Sequence, residues 1–186
     1  MLSWFNKINR TIYKFDKKET ICLYILIFLA GSVVGYIYEE IFCLLFDHEL
    51  VNRGFLYGPY LPVYGFGAAL MVLLLKKFKR NPLVVFLLAM LSTGILEYLT
   101  GYLLWEIYHK TWWDYTGLFL NIDGYVCLRS VLTFGIGGLL LIYIVEPLIC
   151  LIMSKTPKKK IYTMSSLSCI IILIDLVLTM MFRNKI

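Results

Sequence analysis

Charged side chains are scarce in this sequence, and the sequence motifs of several common enzyme classes are missing from it. Asp, Glu, Lys and Arg together make up 16% of the 186 residues. No GxxxxGK(S/T) segment is present, so the chain has no P-loop for ATP, and neither HExxH nor GxSxG occurs. We therefore expect no cofactor and no metal, and an enzyme is not the favoured interpretation.

Histidine and paired cysteine motifs are also rare. His48 and His109 are the two histidines. They could join nearby carboxylates on a metal ion, but their spacing is not diagnostic and surface histidines are the simpler interpretation. The five cysteines show no CxxC spacing, which argues against a structural zinc site. Cys43 and Cys127 could form a disulfide near the outer surface, although buried free thiols are the favoured interpretation.

Apolar residues, by contrast, dominate the chain. They make up 60% of it, and the mean hydropathy is +0.78, whereas soluble domains are roughly 45–50% apolar. Such a chain needs a bilayer as its main solvent. The first apolar run is longer than the about 7–15 residues of a signal-peptide core, so we expect a retained span. We predict a basic cytoplasmic arm at residues 1–19 and a single transmembrane domain at residues 20–186.

Five apolar segments are long enough to cross a bilayer as helices, for which about 20 residues suffice. The predicted all-α, polytopic fold has spans at about residues 20–46, 60–77, 83–108, 127–152 and 161–182. Thirteen of the 18 Lys and Arg lie in the N-terminal arm or in the loops after the second and fourth spans. The positive-inside rule then places the N-terminus inside and the C-terminus outside the cell membrane.

A few charged residues fall within these spans, where each costs about 2.5–3.5 kcal/mol at the bilayer centre on insertion scales. Glycines share helix faces with them. The three faces comprise Gly31, Gly35 and Glu39; Gly94, Glu97 and Gly101; and Arg129, Thr133 and Gly137. Because glycine permits close approach, we expect these helices to meet, with Arg129 or Arg53 pairing with Glu39 or Glu97. Alternatively, such ion pairs only fix the helix register.

Aromatic side chains are interleaved with polar ones in two segments, RGFLYGPYLPVYGFGA at residues 53–68 and WEIYHKTWWDYTG at residues 105–117. Both segments suit an interfacial aromatic belt, but aromatic walls with a few polar groups also describe a ligand pocket. We predict that the first segment is a re-entrant or kinked lid over the polar cluster. The candidate ligand-binding residues are Glu39, Arg53, Tyr57, Tyr64, Glu97, Trp113, Asp114 and Arg129.

Two further acidic residues lie inside predicted spans. Asp175 stands in an apolar helix, where it could cap a serine or a backbone group, or contact another subunit. Glu146 precedes Pro147, and this pair predicts a proline kink.

Three long segments carry a family resemblance. RGFLYGPYLPVYGFGA at 53–68, LEYLTGYLLWEIYHKTWWDYT at 96–116 and NIDGYVCLRSVLTFGIGG at 121–138 occur in this order. Together they resemble the CmpB-like family, whose members carry the label "putative ABC transporter permease" or "ABC-transporter type IV". The resemblance covers most of residues 20–150. It implies a bacterial polytopic membrane protein and a permease subunit that needs a separate ATPase.

Three functions follow from these patterns. The first is transport, in which an outward-facing polar cluster binds or moves a small solute or a lipid headgroup. The second is an intramembrane enzyme that modifies lipid or the cell envelope, and the third is an accessory or sensor subunit without chemistry. We expect membrane lipid as a partner and no nucleic acid, and five spans favour a homo-oligomer for transport.

Overall fold

The computed structural model describes residues 13–46 and 54–182, and helices account for most of these ranges. About 78% of the described residues are helical, and no strand forms among them. This confirms the predicted all-α membrane class. The helices are α1 (Lys17–Phe46), α2 (Pro62–Leu75), α3 (Pro82–Tyr108), α4 (Leu128–Leu140), α5 (Glu146–Lys155) and α6 (Lys158–Phe182).

Four stretches within the described residues are long and apolar enough to span a membrane. They are Lys17–Leu45, Pro82–Tyr108, Leu128–Lys155 and Lys158–Phe182. The predicted span at 60–77 corresponds to α2, which has 14 residues and is followed by a 3₁₀ turn at Lys76–Phe78. At about 1.5 Å per residue, α2 is about 21 Å long, shorter than the about 30 Å of a hydrocarbon core. The orientation stays a prediction.

The described residues form two compact units. The first unit comprises the residues up to Leu70 together with those from Val145 onward, and the second comprises Met71–Ile144. In the first unit, α1 packs against α5 and α6, and in the second unit α3 packs against α4. The predicted boundary between an N-terminal arm and a transmembrane domain at residue 19 stays a prediction.

The start of α1 is fixed by a capping box. The Asp16 backbone N–H donates to Glu19, and the Glu19 N–H donates to Asp16 Oδ1 at 2.8 Å, so two helix-end donors are satisfied. Lys158, at the start of α6, forms ion pairs with both carboxylates at 3.0 and 3.2 Å. The Glu19 N–H and then Lys158 hold the pKa of Asp16 below its usual value.

Glycines bring α1 and α2 together in the first unit. A Cβ at Gly31 would lie 2.6 Å from the Ala68 Cβ and 3.0 Å from the Tyr64 carbonyl oxygen. A Cβ at Gly65 of α2 would collide in turn with Ser32 and Phe28. The glycine face predicted on α1 is therefore a close-packing face, and α2 is the helix that it receives.

Small residues have the same role between α3 and α4 of the second unit. A Cβ at Gly138 would lie 2.6 Å from the Ala89 Cβ, and one at Gly135 would collide with Phe86. Side chains cap both helices: Asn81 accepts from Leu83 N at 3.1 Å, and the thiol of Cys127 pairs with the Ser130 N–H. Such caps satisfy orphan N–H groups at helix starts.

A π-helical turn lies just before Glu146 and Pro147, where the sequence predicted a proline kink, and the kink itself stays a prediction. The turn comprises Leu141–Val145, and α5 begins with Glu146 at its end. A π turn widens the backbone spacing, which accommodates a proline that cannot donate to the preceding turn.

We predict that Gly31→Ala destabilises the protein while Gly67→Ala does not. The added methyl at residue 31 must displace α2, and overpacking of this kind costs about 1–3 kcal/mol. A Cβ at Gly67 meets nothing within 4 Å. Both alanine variants gain helix propensity, and Gly67→Ala has this gain without any overpacking. Thermal unfolding in detergent measures the difference. Equal melting temperatures for the two variants would contradict the α1–α2 packing.

Candidate functional site

The segment Gly54–Leu61 is non-helical at the depth where α1 is in mid-span. The Leu61 N–H donates to the carbonyl oxygen of Ser32 at 2.9 Å, and Ser32 is the sixteenth of the 30 residues of α1. Leu56, Tyr60 and Leu61 are buried. The end of the segment therefore lies beside the middle of α1, whereas the sequence placed the segment at the outer boundary. Its role as a re-entrant or kinked lid stays a prediction.

Backbone donors at such a depth need protein partners, because hydrocarbon offers none. Asp175 on α6 supplies two of these partners. Its Oδ1 accepts from the Tyr57 N–H at 3.0 Å, and its Oδ2 accepts from the Gly58 N–H at 2.8 Å. The Tyr60 N–H donates to the Gly58 carbonyl oxygen at 2.9 Å.

Two prolines explain why the other backbone positions of this segment need no hydrogen-bond acceptor. Pro59 and Pro62 have no N–H, and Leu61 is bonded to α1. Every backbone donor from residue 57 to residue 62 is therefore either bonded or absent. The alternation of prolines with bonded residues explains the GPYLP sequence better than turn propensity alone.

Two hydroxyl groups fill the remaining positions around Asp175. Tyr60 donates a short hydrogen bond to Oδ2, and Thr179, one turn along α6, donates to Oδ1 at 3.1 Å. The carboxylate accepts four hydrogen bonds and the residue is 9% exposed. Of the alternatives considered for Asp175, capping of a backbone partner is the one that the structure contains.

Glu39 and Tyr64, both candidate residues, meet in the first unit. The Tyr64 hydroxyl donates a short hydrogen bond to Glu39 Oε1, and both side chains are half-buried. Tyr57 contributes its backbone N–H to Asp175, while its side chain is 54% exposed. Arg53 lies outside the described residues, so its predicted pairing stays a prediction.

Glu97 is the centre of a hydroxyl cluster in the second unit. Its Oε1 accepts from the Tyr115 hydroxyl at 2.9 Å, and its Oε2 accepts from Ser130 Oγ at 2.7 Å. Glu97 is half-buried, and Ser130 is buried at the start of α4. The predicted partner Arg129 is the residue before Ser130 and is exposed. The hydroxyl of its neighbour, rather than its guanidinium, contacts the carboxylate.

The loop between α3 and α4 folds back along α3 and brings Tyr115 to Glu97. Trp113 Nε1 donates to the Tyr125 carbonyl oxygen at 2.8 Å, and the Tyr125 ring packs on Gly101 of α3. Asp114 accepts from the Thr116 N–H at 2.8 Å, and hydrogen bonds from Thr116 hold the pKa of Asp114 below its usual value. Trp113 and Asp114 therefore stiffen the loop that carries Tyr115.

Asp123 is a polar residue of this unit that the candidate set lacks. It occupies the left-handed region with φ of 52°, and Gly124 follows with φ of 73°. Together with the Tyr125 N–H donating to the Ile122 carbonyl oxygen, these values define a type I′ turn. Asp-Gly between apolar residues is the sequence signal for such a turn. The Tyr98 hydroxyl donates to Asp123 Oδ2 at 2.8 Å.

All five cysteines are free thiols, and four of them are buried. The conceivable disulfide between Cys43 and Cys127 is therefore wrong, and the interpretation as free thiols is confirmed. Cys127 instead caps α4 through its thiol.

These features define a helical, multi-pass membrane protein with carboxylates held by tyrosine hydroxyls. The family model described as "Putative ABC-transporter type IV" matches residues 26–180, and the chain belongs to that family. The match includes α6 and Asp175, beyond the residues that carried the resemblance in the sequence. No curated protein and no solved structure matches the chain.

We predict that Asp175→Asn destabilises the protein strongly. The amide keeps the size of the side chain but turns a donor toward Tyr57 N, Gly58 N or the Tyr60 hydroxyl, and an unsatisfied buried group costs about 1–3 kcal/mol. Tyr60→Phe removes one hydrogen bond and should cost about 1 kcal/mol. Thermal unfolding in detergent and hydrogen exchange at the Tyr57 and Gly58 amides measure the effect.

Ser168→Ala is the matched control on α6, because the Ser168 hydroxyl bonds only within its own helix, to the Met164 carbonyl oxygen. We expect this variant to unfold within about 0.5 kcal/mol of the wild type. If Asp175→Asn were as stable as Ser168→Ala, with unchanged amide exchange, the carboxylate would not be what holds the segment Gly54–Leu61.

Proposed function

We propose that this protein is the membrane component of a transporter and that it binds a small solute or a lipid headgroup at a polar site around Glu97. The second unit contributes Glu97, Trp113, Asp114 and Arg129 to this site. One observation carries the proposal. Within the described residues, the carboxylate of Glu97 is held by two neutral hydroxyl groups inside an apolar helix.

Neutral donors orient the carboxylate without cancelling its charge. Each Glu97 oxygen accepts one hydrogen bond from a side chain, while a carboxylate has about four acceptor positions in all. A carboxylate in a membrane span is costly, and such residues usually mark a pathway or a site. A ligand with a positive or hydrogen-bond-donating group would use the remaining acceptor positions, and Arg129 would offer the opposite charge to an anionic part.

The loop supports a ligand-handling role because it is built around an indole and a carboxylate. Trp113 is half-buried and Asp114 is exposed, so both can reach a molecule that approaches Tyr115. Aromatic walls with few polar groups are typical of ligand pockets. The hydrogen bonds of Trp113 and Asp114 to their own loop give this wall a fixed shape.

The first unit adds Glu39, Tyr64, Tyr57 and Arg53 to the proposal. The hydrogen bond between Tyr64 and Glu39 repeats the pairing of a carboxylate with a tyrosine hydroxyl. Tyr57 is exposed beside the segment that Asp175 fixes. We propose that these side chains, on a side of the membrane that the positive-inside rule assigns as outer, contact the same class of ligand.

The energy source in this proposal is a separate ATPase chain, which the family description implies. The chain has no P-loop of its own. The described residues contain four long spans and the short helix α2, which are few for a complete pathway. We further propose that the protein assembles as a homo-oligomer in the bacterial cytoplasmic membrane.

Glu97→Gln should abolish ligand retention without unfolding the protein. The two hydroxyls bond different carboxylate oxygens, so the amide oxygen accepts from one of them and the other hydroxyl can rotate to accept from the amide N–H. The fold is therefore retained while the negative charge is lost. Native mass spectrometry of the protein purified in detergent measures which small molecules and lipids copurify with the wild type and the variant. We expect a copurifying species to fall by about tenfold, which corresponds to about 1.4 kcal/mol.

Glu106→Gln is the control on the same helix. Glu106 is exposed near the end of α3, so its loss should leave ligand retention unchanged. If Glu97→Gln and Arg129→Ala both fold and both retain the same copurifying species as the wild type, the site around Glu97 is not a binding site.

A further inference from the structure

An apolar groove runs along α3 in the second unit, and Glu97 is not among the residues that line it. It has a volume of about 540 Å³, and its main walls are Leu87, Leu91, Gly94 and Val131. Leu87 and Leu99 mark its extent along α3, which is about 18 Å at about 1.5 Å per residue. That length is close to one leaflet, since half of a hydrocarbon core is about 15 Å.

At one end, the apolar groove meets polar groups. Tyr98 forms its wall there, together with Ile122 and Val126 of the turn. The Tyr98 hydroxyl donates to Asp123 Oδ2, and the Tyr98 and Tyr125 rings meet edge to face with centroids 5.6 Å apart. Asp123 is exposed and occupies a left-handed conformation.

We propose that this groove binds a membrane lipid whose headgroup carries an ammonium group. One acyl chain lies along α3 between Leu87 and Leu99, and the ammonium group lies beside the Asp123 carboxylate and the two tyrosine rings. The carboxylate supplies the opposite charge, and the ring faces attract the cation through their quadrupoles.

Charge and shape favour a lipid over a polar solute. The ten lining residues are apolar or tyrosine, and none is basic. A polar solute would find no partner along the length of this groove, whereas an acyl chain needs none. Within the described part of the chain, the one side chain hydrogen-bonded to Asp123 is a neutral tyrosine, so its charge is available to a cationic group.

The groove and the Asp123 carboxylate also lie at the depths that the acyl chain and the headgroup of a lipid would occupy. Tyr98 is 16 residues from the start of α3, or about 24 Å along the helix. If α3 starts at one membrane surface, Asp123 therefore lies in the far quarter of a core about 30 Å thick, close to the opposite headgroup region. The groove extends from there toward the bilayer centre, in the direction that an acyl chain takes.

This lipid site goes beyond the solute site and does not depend on it. A lipid in the groove needs no contact with Glu97, and a ligand at Glu97 needs no lipid in the groove. The two can therefore fail separately, and the Glu97→Gln variant serves to distinguish them.

The test is a titration of delipidated protein, in a neutral detergent, with three lysolipids of equal chain length. Their headgroups are phosphoethanolamine, phosphocholine and phosphoglycerol, of which only the first two carry an ammonium group. Native mass spectrometry gives the bound fraction of each. We expect the ammonium lysolipids to bind about tenfold more tightly than the phosphoglycerol one, and Asp123→Asn to abolish this difference while Leu91→Trp prevents binding of all three.

Leu91 lines the groove and is 60% exposed, so an indole at this position fills the groove without entering the core. Leu103→Trp is the matched control, because Leu103 is similarly exposed on α3 but does not line the groove. Leu87→Trp replaces Leu91→Trp if the latter does not fold. In Glu97→Gln the preference for the ammonium lysolipids should persist, whether or not a lipid bound at Glu97 itself is lost.

Three outcomes would overturn the proposal. Equal binding of all three headgroups to the wild type would exclude recognition of the ammonium group. Unchanged binding in a folded Leu91→Trp or Leu87→Trp variant would exclude the groove. Loss of the preference for ammonium headgroups in Glu97→Gln, with the preference kept in Asp123→Asn, would move the ammonium group to the Glu97 site.

Discussion

The structure of the first unit depends on a carboxylate that serves backbone amides. A peptide that leaves the helical conformation inside a membrane must find partners for its N–H groups within the protein. Here Asp175 provides them for Tyr57 and Gly58, two prolines remove two further donors, and Ser32 of α1 accepts from Leu61. Without that carboxylate, Gly54–Leu61 could not lie at mid-span, and α2 would not be positioned on the glycines of α1.

Pairing of a carboxylate with a tyrosine hydroxyl recurs in both units, and the number of donors separates structural from functional candidates. Asp175 accepts four hydrogen bonds and is buried, so no acceptor capacity remains for a ligand. Glu97 accepts two from side chains and is half-buried. Asp123 accepts one from a side chain and is exposed. From Asp175 to Glu97 to Asp123, the carboxylate becomes more exposed and accepts fewer hydrogen bonds. Binding is therefore proposed at Glu97 and Asp123 and not at Asp175.

Hydropathy predicts the long helices well because length and composition determine whether a segment can span a membrane. Glycine periodicity likewise predicts the face of α1 that receives a neighbour. The same periodicity chose Arg129 as the partner of Glu97, although Ser130 makes the contact. Adjacent residues differ by about 100° around a helix, so a small error in helix rotation selects the wrong one. The depth of Gly54–Leu61 depends on Asp175, more than a hundred residues away, and local patterns hold no such information.

The distance along the chain between the segment Gly54–Leu61 and its acceptor has a consequence for biosynthesis. Tyr57 and Asp175 are 118 residues apart, and translation at about 5–20 residues per second separates their synthesis by roughly 6–24 s. During that interval the amides of Tyr57 and Gly58 have no carboxylate to bind, so the segment has to wait in the hydrated headgroup region or inside the insertion machinery. A helix made much later is thus the one that supplies the acceptor for an earlier part of the chain.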